Sequence, residues 1–177
     1  KVEAGSAFRR HCCSALDVAV GKIPDEWRIP ITCRSAGRPA DIMQAARIGA
    51  EVEVAADAVQ ARLCGDERLL RRAVRNLLEN ARRYSDGTVS VSLHLQGGMA
   101  EVRVCDQGPG VPAELRERIF EPFYRLPGAS ERAGGVGLGL ALVRSIAGRH
   151  QGTVHCEGNP QGQGACFVLR LPITPLA

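Results

Sequence analysis

Between Asp66 and Tyr84 the chain carries an apolar stripe with the period of a helix. Leu70, Ala73, Val74, Leu77, Leu78 and Ala81 recur at three-and-four spacing, and Asp66 stands where a capping carboxylate belongs. Two asparagines, Asn76 and Asn80, break into this pattern one turn apart. Asparagine is a poor interior helix residue because its side chain competes for backbone hydrogen bonds, so a pair at i and i+4 needs a reason. The spacing puts both carboxamides on one face, and Arg83 joins that face at i+7 from Asn76. A carboxamide oxygen is a hard, neutral ligand suited to Mg²⁺, which keeps waters and substrate phosphates as its remaining ligands. Such a face can hold a metal–phosphate. It can equally be the polar edge of an amphipathic helix, and the helix alone does not decide between the two.

A chain of 177 residues fits one domain with a sizeable core, and 45% hydrophobic and 24% charged residues exclude a disordered or fibrous chain. The net charge of +4 rests on arginine, with Lys1 and Lys22 the only lysines, and aromatics are only 4%. No basic stripe with interleaved aromatics is present, so no nucleic-acid partner is expected. Seven cysteines form no Cys-x-x-Cys pair: Cys12 and Cys13 are adjacent, Cys33 and Cys64 stand alone, and Cys105, Cys156 and Cys166 fall inside apparent strands. We expect these to be buried free thiols in a reducing cytoplasm, without disulfides or zinc. No run approaches the roughly 18 to 20 apolar residues of a membrane span, and no signal peptide is visible.

Lys1 to Ala4 followed by Gly5 has the form of a last helical turn with its terminating glycine. A helix over about Ser6 to Val20 is expected from Phe8, Cys12, Leu16 and Ala19, and the stretch with Pro24, Trp27, Pro30 and Pro39 has no period. Glu51 to Val54 alternates as a half-buried strand, and Ala61 to Cys64 offers another. After the asparagine helix, Ser85-Asp86-Gly87 turns the chain. Thr88 to Leu95 and Ala100 to Cys105 then alternate on either side of Gln96-Gly97-Gly98, which reads as a hairpin. A short helix is expected from Pro112 to about Ile119, then a polar, aperiodic loop from 125 to 133. Gly152 to Cys156 and Ala165 to Leu171 read as a closing hairpin around a Gly/Asn/Pro turn.

Two glycine-rich stretches carry chemistry. Asp106-Gln107-Gly108-Pro109-Gly110 follows a strand end directly; its glycines let backbone approach a ligand, and Asp106 can accept from an exocyclic amine. Gly134-Gly135-Val136-Gly137-Leu138-Gly139-Leu140 opens a helix, where unpaired amides and the helix dipole favour phosphate. It is not a Walker loop, since no Gly-Lys-Ser/Thr ends it, nor a dinucleotide fingerprint, since no strand–loop–helix unit with an acidic residue about 20 positions on surrounds it.

In this order the stretches resemble the catalytic, ATP-binding domain of bacterial sensor histidine kinases, of the fold shared with gyrase, chaperone and mismatch-repair ATPases. Asn76-Leu77-Leu78-Glu79-Asn80-Ala81-Arg82-Arg83-Tyr84 resembles that family's N box, Asp106 to Gly110 its first glycine box, Ile119 to Tyr124 its F box and Gly135 to Leu140 its second glycine box, over about residues 48 to 172. The resemblance implies an α/β, two-layer sandwich: a mixed, largely antiparallel sheet with helices packed on one face. It implies that residues 48–177 form the kinase catalytic domain, that 6–47 are an atypical N-terminal segment of it, and that 1–5 end the preceding dimerisation helix.

It further implies ATP and Mg²⁺ as ligands. Asn80 would hold the metal, with Asn76 contacting phosphate or metal water. Arg83 and Tyr84 would meet phosphate and the sugar side, and Asp106 the adenine amino group, with Gly108 and Gly110 making room for the ring. The amides from Gly135 through Gly137, Leu138, Gly139 and Leu140 would hold phosphates, under a lid from Arg125 to Val136 whose start Phe120 and Phe123 would anchor, unless both are plain core aromatics. Related ATPases carry a glutamate base at the position of Asn76, and an amide cannot take that proton. A site without its own base suits transfer of the γ-phosphate to a nucleophile brought from elsewhere. Glu79, about 100° from Asn80 around the helix, is the secondary candidate for assisting that attack.

The expected enzyme is therefore a protein-histidine kinase whose phosphoacceptor is not on this chain, since His11, His94, His150 and His155 lack the family's acceptor context. Its partners would be its own dimerisation domain and a response regulator; the fragment would be monomeric, and its parent a homodimer, cytoplasmic in this part and anchored at the inner membrane if anchored at all. The rivals are a self-contained ATPase of the same fold, which Asn76 disfavours, and a non-catalytic interaction module, which the full set of ligand types disfavours.

Overall fold

The Asp66 carboxylate caps the asparagine helix, accepting from the backbone N–H groups of Arg68 and Leu69 at 2.9 and 3.2 Å. The computed structural model describes residues 11–14, 31–32, 50–54, 62–127 and 136–174. Helix α1 spans Glu67–Tyr84 and buries the six stripe residues Leu70, Ala73, Val74, Leu77, Leu78 and Ala81. Helix α2 spans Gly139–Arg149 and buries Val143, Ile146 and Ala147.

Among the described residues eight strands form one sheet: β1 (His11–Ser14), β2 (Ile31–Thr32), β3 (Ala50–Val54), β4 (Arg62–Gly65), β5 (Val89–Gln96), β6 (Met99–Cys105), β7 (Thr153–Gly158) and β8 (Ala165–Thr174). Their order is β1–β4–β8–β6–β5–β3–β2, with β7 also paired to β8. The neighbouring pairs β5/β6, β6/β8 and β7/β8 are antiparallel, whereas β2 and β3 join the β5 edge in parallel. The expected mixed, largely antiparallel sheet is what forms. Gly97 and Gly98, both at positive φ, make the two-residue turn that matches hairpin twist between β5 and β6.

Alternation assigns the two faces. Val89, Val91 and Leu93 of β5, Ala100, Val102 and Val104 of β6, and Ala165, Phe167, Leu169 and Leu171 of β8 share the core with the apolar stripes of α1 and α2. The intervening residues line the other face, where Glu101 is buried under arginine. Arg103 and Arg170 donate to its carboxylate at 2.8 and 2.6 Å, and Arg103 also pairs with Glu157. Burial by itself would raise the Glu101 pKa, but the two arginine bonds outweigh it and hold the carboxyl below its usual range.

Three expectations are corrected. His11–Ser14, inside the stretch expected as a helix over Ser6 to Val20, is a strand antiparallel to β4. A backbone edge offering a ladder of partners overrides a weak apolar period. The helix expected after Pro112 is instead two 3-10 turns, Ala113–Leu115 and Arg118–Phe120. Cys105 and Cys166, expected as free thiols, are joined by a disulfide, while Cys156 is a buried free thiol whose pKa burial pushes up to about 12. The two bonded cysteines are 61 positions apart and become opposite only through the β6–β8 register, which spacing along the chain cannot reveal. The expected helix end at Lys1–Ala4, the proline-bearing stretch around Trp27 and residues 128–135 of the lid expected from Arg125 to Val136 lie outside the described residues.

Candidate nucleotide-binding site

The α1 flank that carries the asparagines lies beside the start of α2. Asn76 and Asn80 are half-buried at the border of the apolar stripe, and the Asn76 Nδ2 donates to the Gly139 carbonyl at 3.4 Å. Arg83 is exposed and Tyr84 half-buried on the same flank. Glu79, also half-buried, is displaced around the helix from Asn80 as its position dictates. Helix α2 starts at Gly139 with no side-chain cap, and its first intrahelical bond runs from Leu142 N–H to the Leu138 carbonyl. Its leading amides are thus left for a ligand beside the two carboxamides.

Gly137 makes this approach possible. It adopts φ +77°, and a Cβ there would come within 3.0 Å of the Phe123 backbone, so a side chain would be strained and crowded at once. The Phe123 N–H donates to the Gly137 carbonyl at 2.9 Å, fastening together the two ends of the segment that Arg125 to Val136 spans. The two F-box aromatics separate in role. Phe120 is core, edge-on to Phe167 with ring centres 6.5 Å apart and with the Arg144 guanidinium 4.7 Å from its centre. Phe123 is 67% exposed at φ +65°. Leu138 and Gly139 are exposed, Leu140 packs against the core, and Gly135 lies outside the described residues.

Asp106 occupies the other end of α1, at the end of β6. Its side chain is buried, and Oδ1 accepts from the Gly108 and Ala165 amides at 2.9 and 3.3 Å. Burial raises its pKa, and these two amide bonds work against that rise. With Oδ1 occupied by the protein, Oδ2 remains as the acceptor for a ligand. Gly108 lies against the Tyr84 carbonyl so closely that a Cβ would collide with it, which brings the loop onto the end of α1. From Asn76 to Tyr84 the helix rises about 12 Å, the scale of a nucleoside triphosphate laid along it.

Two residues at this end signal only turns in the sequence. Ser85 is buried after α1, and its Oγ accepts from both Gly87 and Gln107 N–H, at 3.1 and 3.2 Å. Asn159, in the β7–β8 turn, donates from Nδ2 to the Asp106 carbonyl at 2.8 Å. Ser-x-Gly and Asn-Pro-Gln do signal local side-chain turns, but their longer-range partners depend on the fold.

Residues 65–175 match the family described as histidine kinase-, DNA gyrase B- and HSP90-like ATPase. The chain belongs to that family. Among curated members it is 50% identical over 109 residues to the sensor protein RstB of Escherichia coli (strain K12), covering 61% of this chain and 25% of RstB. It is 44% identical over 117 residues to the sensor-like histidine kinase SenX3 of Mycolicibacterium smegmatis, covering 64% and 30%. The chain thus spans about a quarter to a third of these relatives. Among solved structures, the mycobacterial sensor histidine kinase MprB superposes with a TM-score of 0.62 at 35% identity, over 73% of this chain and 84% of that one. Full-length ShkA in complex with AMPPNP superposes at 0.59 and 33% identity, over 73% and 27%. The matched stretch takes in α1, α2 and strands β5 to β8.

Proposed function

We propose that the chain is the ATP-binding catalytic domain of a two-component sensor histidine kinase, with residues 48–177 as the catalytic unit. It would transfer the γ-phosphate of Mg-ATP to a histidine on a separate dimerisation domain, from which a response regulator would take it. What carries the proposal is the arrangement along α1: Asn76 and Asn80 beside the uncapped start of α2, and Asp106 with a free oxygen at the opposite end. The adenine amino group donates to Asp106 Oδ2, Tyr84 and Arg83 meet the sugar and phosphates, and the amides from Gly137 to Leu140 hold the phosphate oxygens.

Asn80 fits a hard divalent cation: its carboxamide is neutral, half-buried and one turn along α1 from Asn76, which bonds the start of α2. Mg²⁺ bound there would neutralise charge on the phosphates. Asn76 offers no proton acceptor of the kind that activates water, so the site positions the triphosphate and leaves attack to a histidine from elsewhere, with Glu79, adjacent to Asn80 in sequence, the secondary candidate for assisting it. The disulfide removes the cysteine argument for a reducing compartment, and a cytoplasmic setting rests instead on the ATP the site would draw upon. Among the described residues no helix is long and apolar enough to cross a membrane.

Calorimetric titration of a non-hydrolysable ATP analogue, with and without Mg²⁺, tests this. In Asp106→Asn the amide oxygen must stay toward the Gly108 and Ala165 N–H groups, which turns an NH₂ toward the adenine amine, donor against donor. We expect Mg²⁺-dependent binding, weakened at least tenfold by this variant. A folded protein that binds no nucleotide would overturn the proposal and favour an interaction module.

A further inference from the structure

One peptide unit in the site is held at both ends by side chains from two different elements. The carbonyl of Asp106 accepts from Asn159 Nδ2 at 2.8 Å, and the N–H of Gln107, the other half of the same peptide, donates to Ser85 Oγ at 3.2 Å. Asn159 belongs to the turn between β7 and β8, while Ser85 ends α1. Neither contacts the nucleotide in the proposed site. Both act on the residue that does.

The bonds around Asn159 show how narrowly this is built. Its N–H donates to the Gly164 carbonyl at 3.2 Å, its carbonyl accepts from Gly162 at 3.2 Å, and its Oδ1 accepts from the Gln161 N–H at 2.9 Å. Every polar group but one is used to close the turn, and the remaining one, Nδ2, points to Asp106. The turn also meets Asp106 through Ala165, whose carbonyl accepts from the Asp106 N–H at 2.9 Å and whose N–H donates to Oδ1. Gly164, at φ +129°, lies so close to the Asp106 carbonyl that a Cβ could not be placed there.

Rotation of the 106–107 peptide would carry with it the chain leading to Gly108, whose N–H orients Oδ1. Fixing that peptide therefore fixes which way the free Oδ2 faces. We propose that Asn159 and Ser85 are positioning residues that clamp the Asp106–Gln107 peptide and thereby set the selectivity of the site for a 6-aminopurine. The inference rests on Asp106 reading the adenine amine.

The test compares ATP with its 6-desamino analogue, purine riboside triphosphate, which keeps every sugar and phosphate contact and lacks the amine. Asn159→Asp is the informative variant, because Oδ1 can still accept from Gln161 and close the turn, while the second oxygen replaces the donor to the Asp106 carbonyl. Ser85→Ala removes the other end of the clamp. Binding of both nucleotides is measured for the unaltered chain, for these two variants and for Asp106→Asn.

We expect the unaltered chain to prefer ATP by about tenfold or more, and Asn159→Asp and Ser85→Ala each to lose most of that preference while binding the desamino analogue within about threefold of the original. Parallel weakening of both nucleotides, with the preference intact, would mark the residues as merely structural and overturn the proposal, as would loss of all binding. If Asp106→Asn abolishes the preference and the clamp variants do not, only the clamp fails. If Asp106→Asn leaves the preference unchanged, the adenine assignment itself fails.

Discussion

Asp106 is subject to opposed demands. Its burial disfavours the charged carboxylate and raises its pKa above the ordinary 3.8, while two amides bonded to Oδ1 favour the charge. Because the folded-state value is the higher one, ionising Asp106 works against the fold: the cost grows as pH rises from the ordinary value through the raised one and persists above it. Ligand recognition runs the other way, since the ionised carboxylate is the better acceptor for an amine. The ratio of affinities for ADP and its 6-desamino counterpart, in which phosphate titration cancels, should therefore fall on acidification, beginning at a pH above that of an ordinary carboxylate. A ratio flat from pH 7 to 4 in a protein still folded by circular dichroism would contradict this role. Asn76 and Asn80 were visible in the sequence because asparagine is misplaced in a helix interior, and Asp106 because it precedes two glycines. Ser85 and Asn159 were visible only as turn formers, since nothing in a linear sequence says that two turns 74 positions apart close on the same peptide.

At the scale of elements, the proposed site requires α1 and α2 to keep a fixed relation, because the carboxamides lie on one and the amides proposed to hold phosphate on the other. His150, at the end of α2, ties them together. Its Nε2 accepts from the Asp66 N–H at 3.0 Å and its Nδ1 lies 2.7 Å from the Ile146 carbonyl, so both bonds are made together only with the ring proton on Nδ1. The start of α1 is thus held by the end of α2. Replacing His150 with Ala would leave the Asp66 N–H without its partner at a partly buried position and open a cavity. A loss of about 2 kcal/mol is expected, read as a fall in melting temperature of about 4 to 8 °C. No fall, or a fall under 1 °C, would show that the bridge contributes nothing. The strands at this scale were legible wherever one face is buried, because alternation reports that directly in β5, β6 and β8. The helix expected over Ser6 to Val20 was not, because a weak period competes with an open edge of β4, and edge pairing is invisible before the sheet exists.

The whole molecule divides its labour across the sheet. Among the described residues one face carries the helices, with the proposed nucleotide site beside them, and the other carries Glu101 and its arginines. In the proposed site Asn76 supplies no base for water activation, so a triphosphate bound there would persist until a nucleophile arrives, as the proposed transfer to a histidine on another unit requires. This claim is tested most directly by following the γ-phosphate. The protein is incubated with Mg-ATP labelled at that phosphate, alone and with the dimerisation domain of the same kinase, and inorganic phosphate and phosphohistidine are measured side by side. Almost no phosphate release is expected from the chain alone, and acid-labile phosphohistidine on the added domain that Asn80→Ala abolishes. Steady phosphate release from the isolated chain, abolished by the same substitution and with no phosphohistidine formed on the added domain, would contradict it and identify a self-contained ATPase.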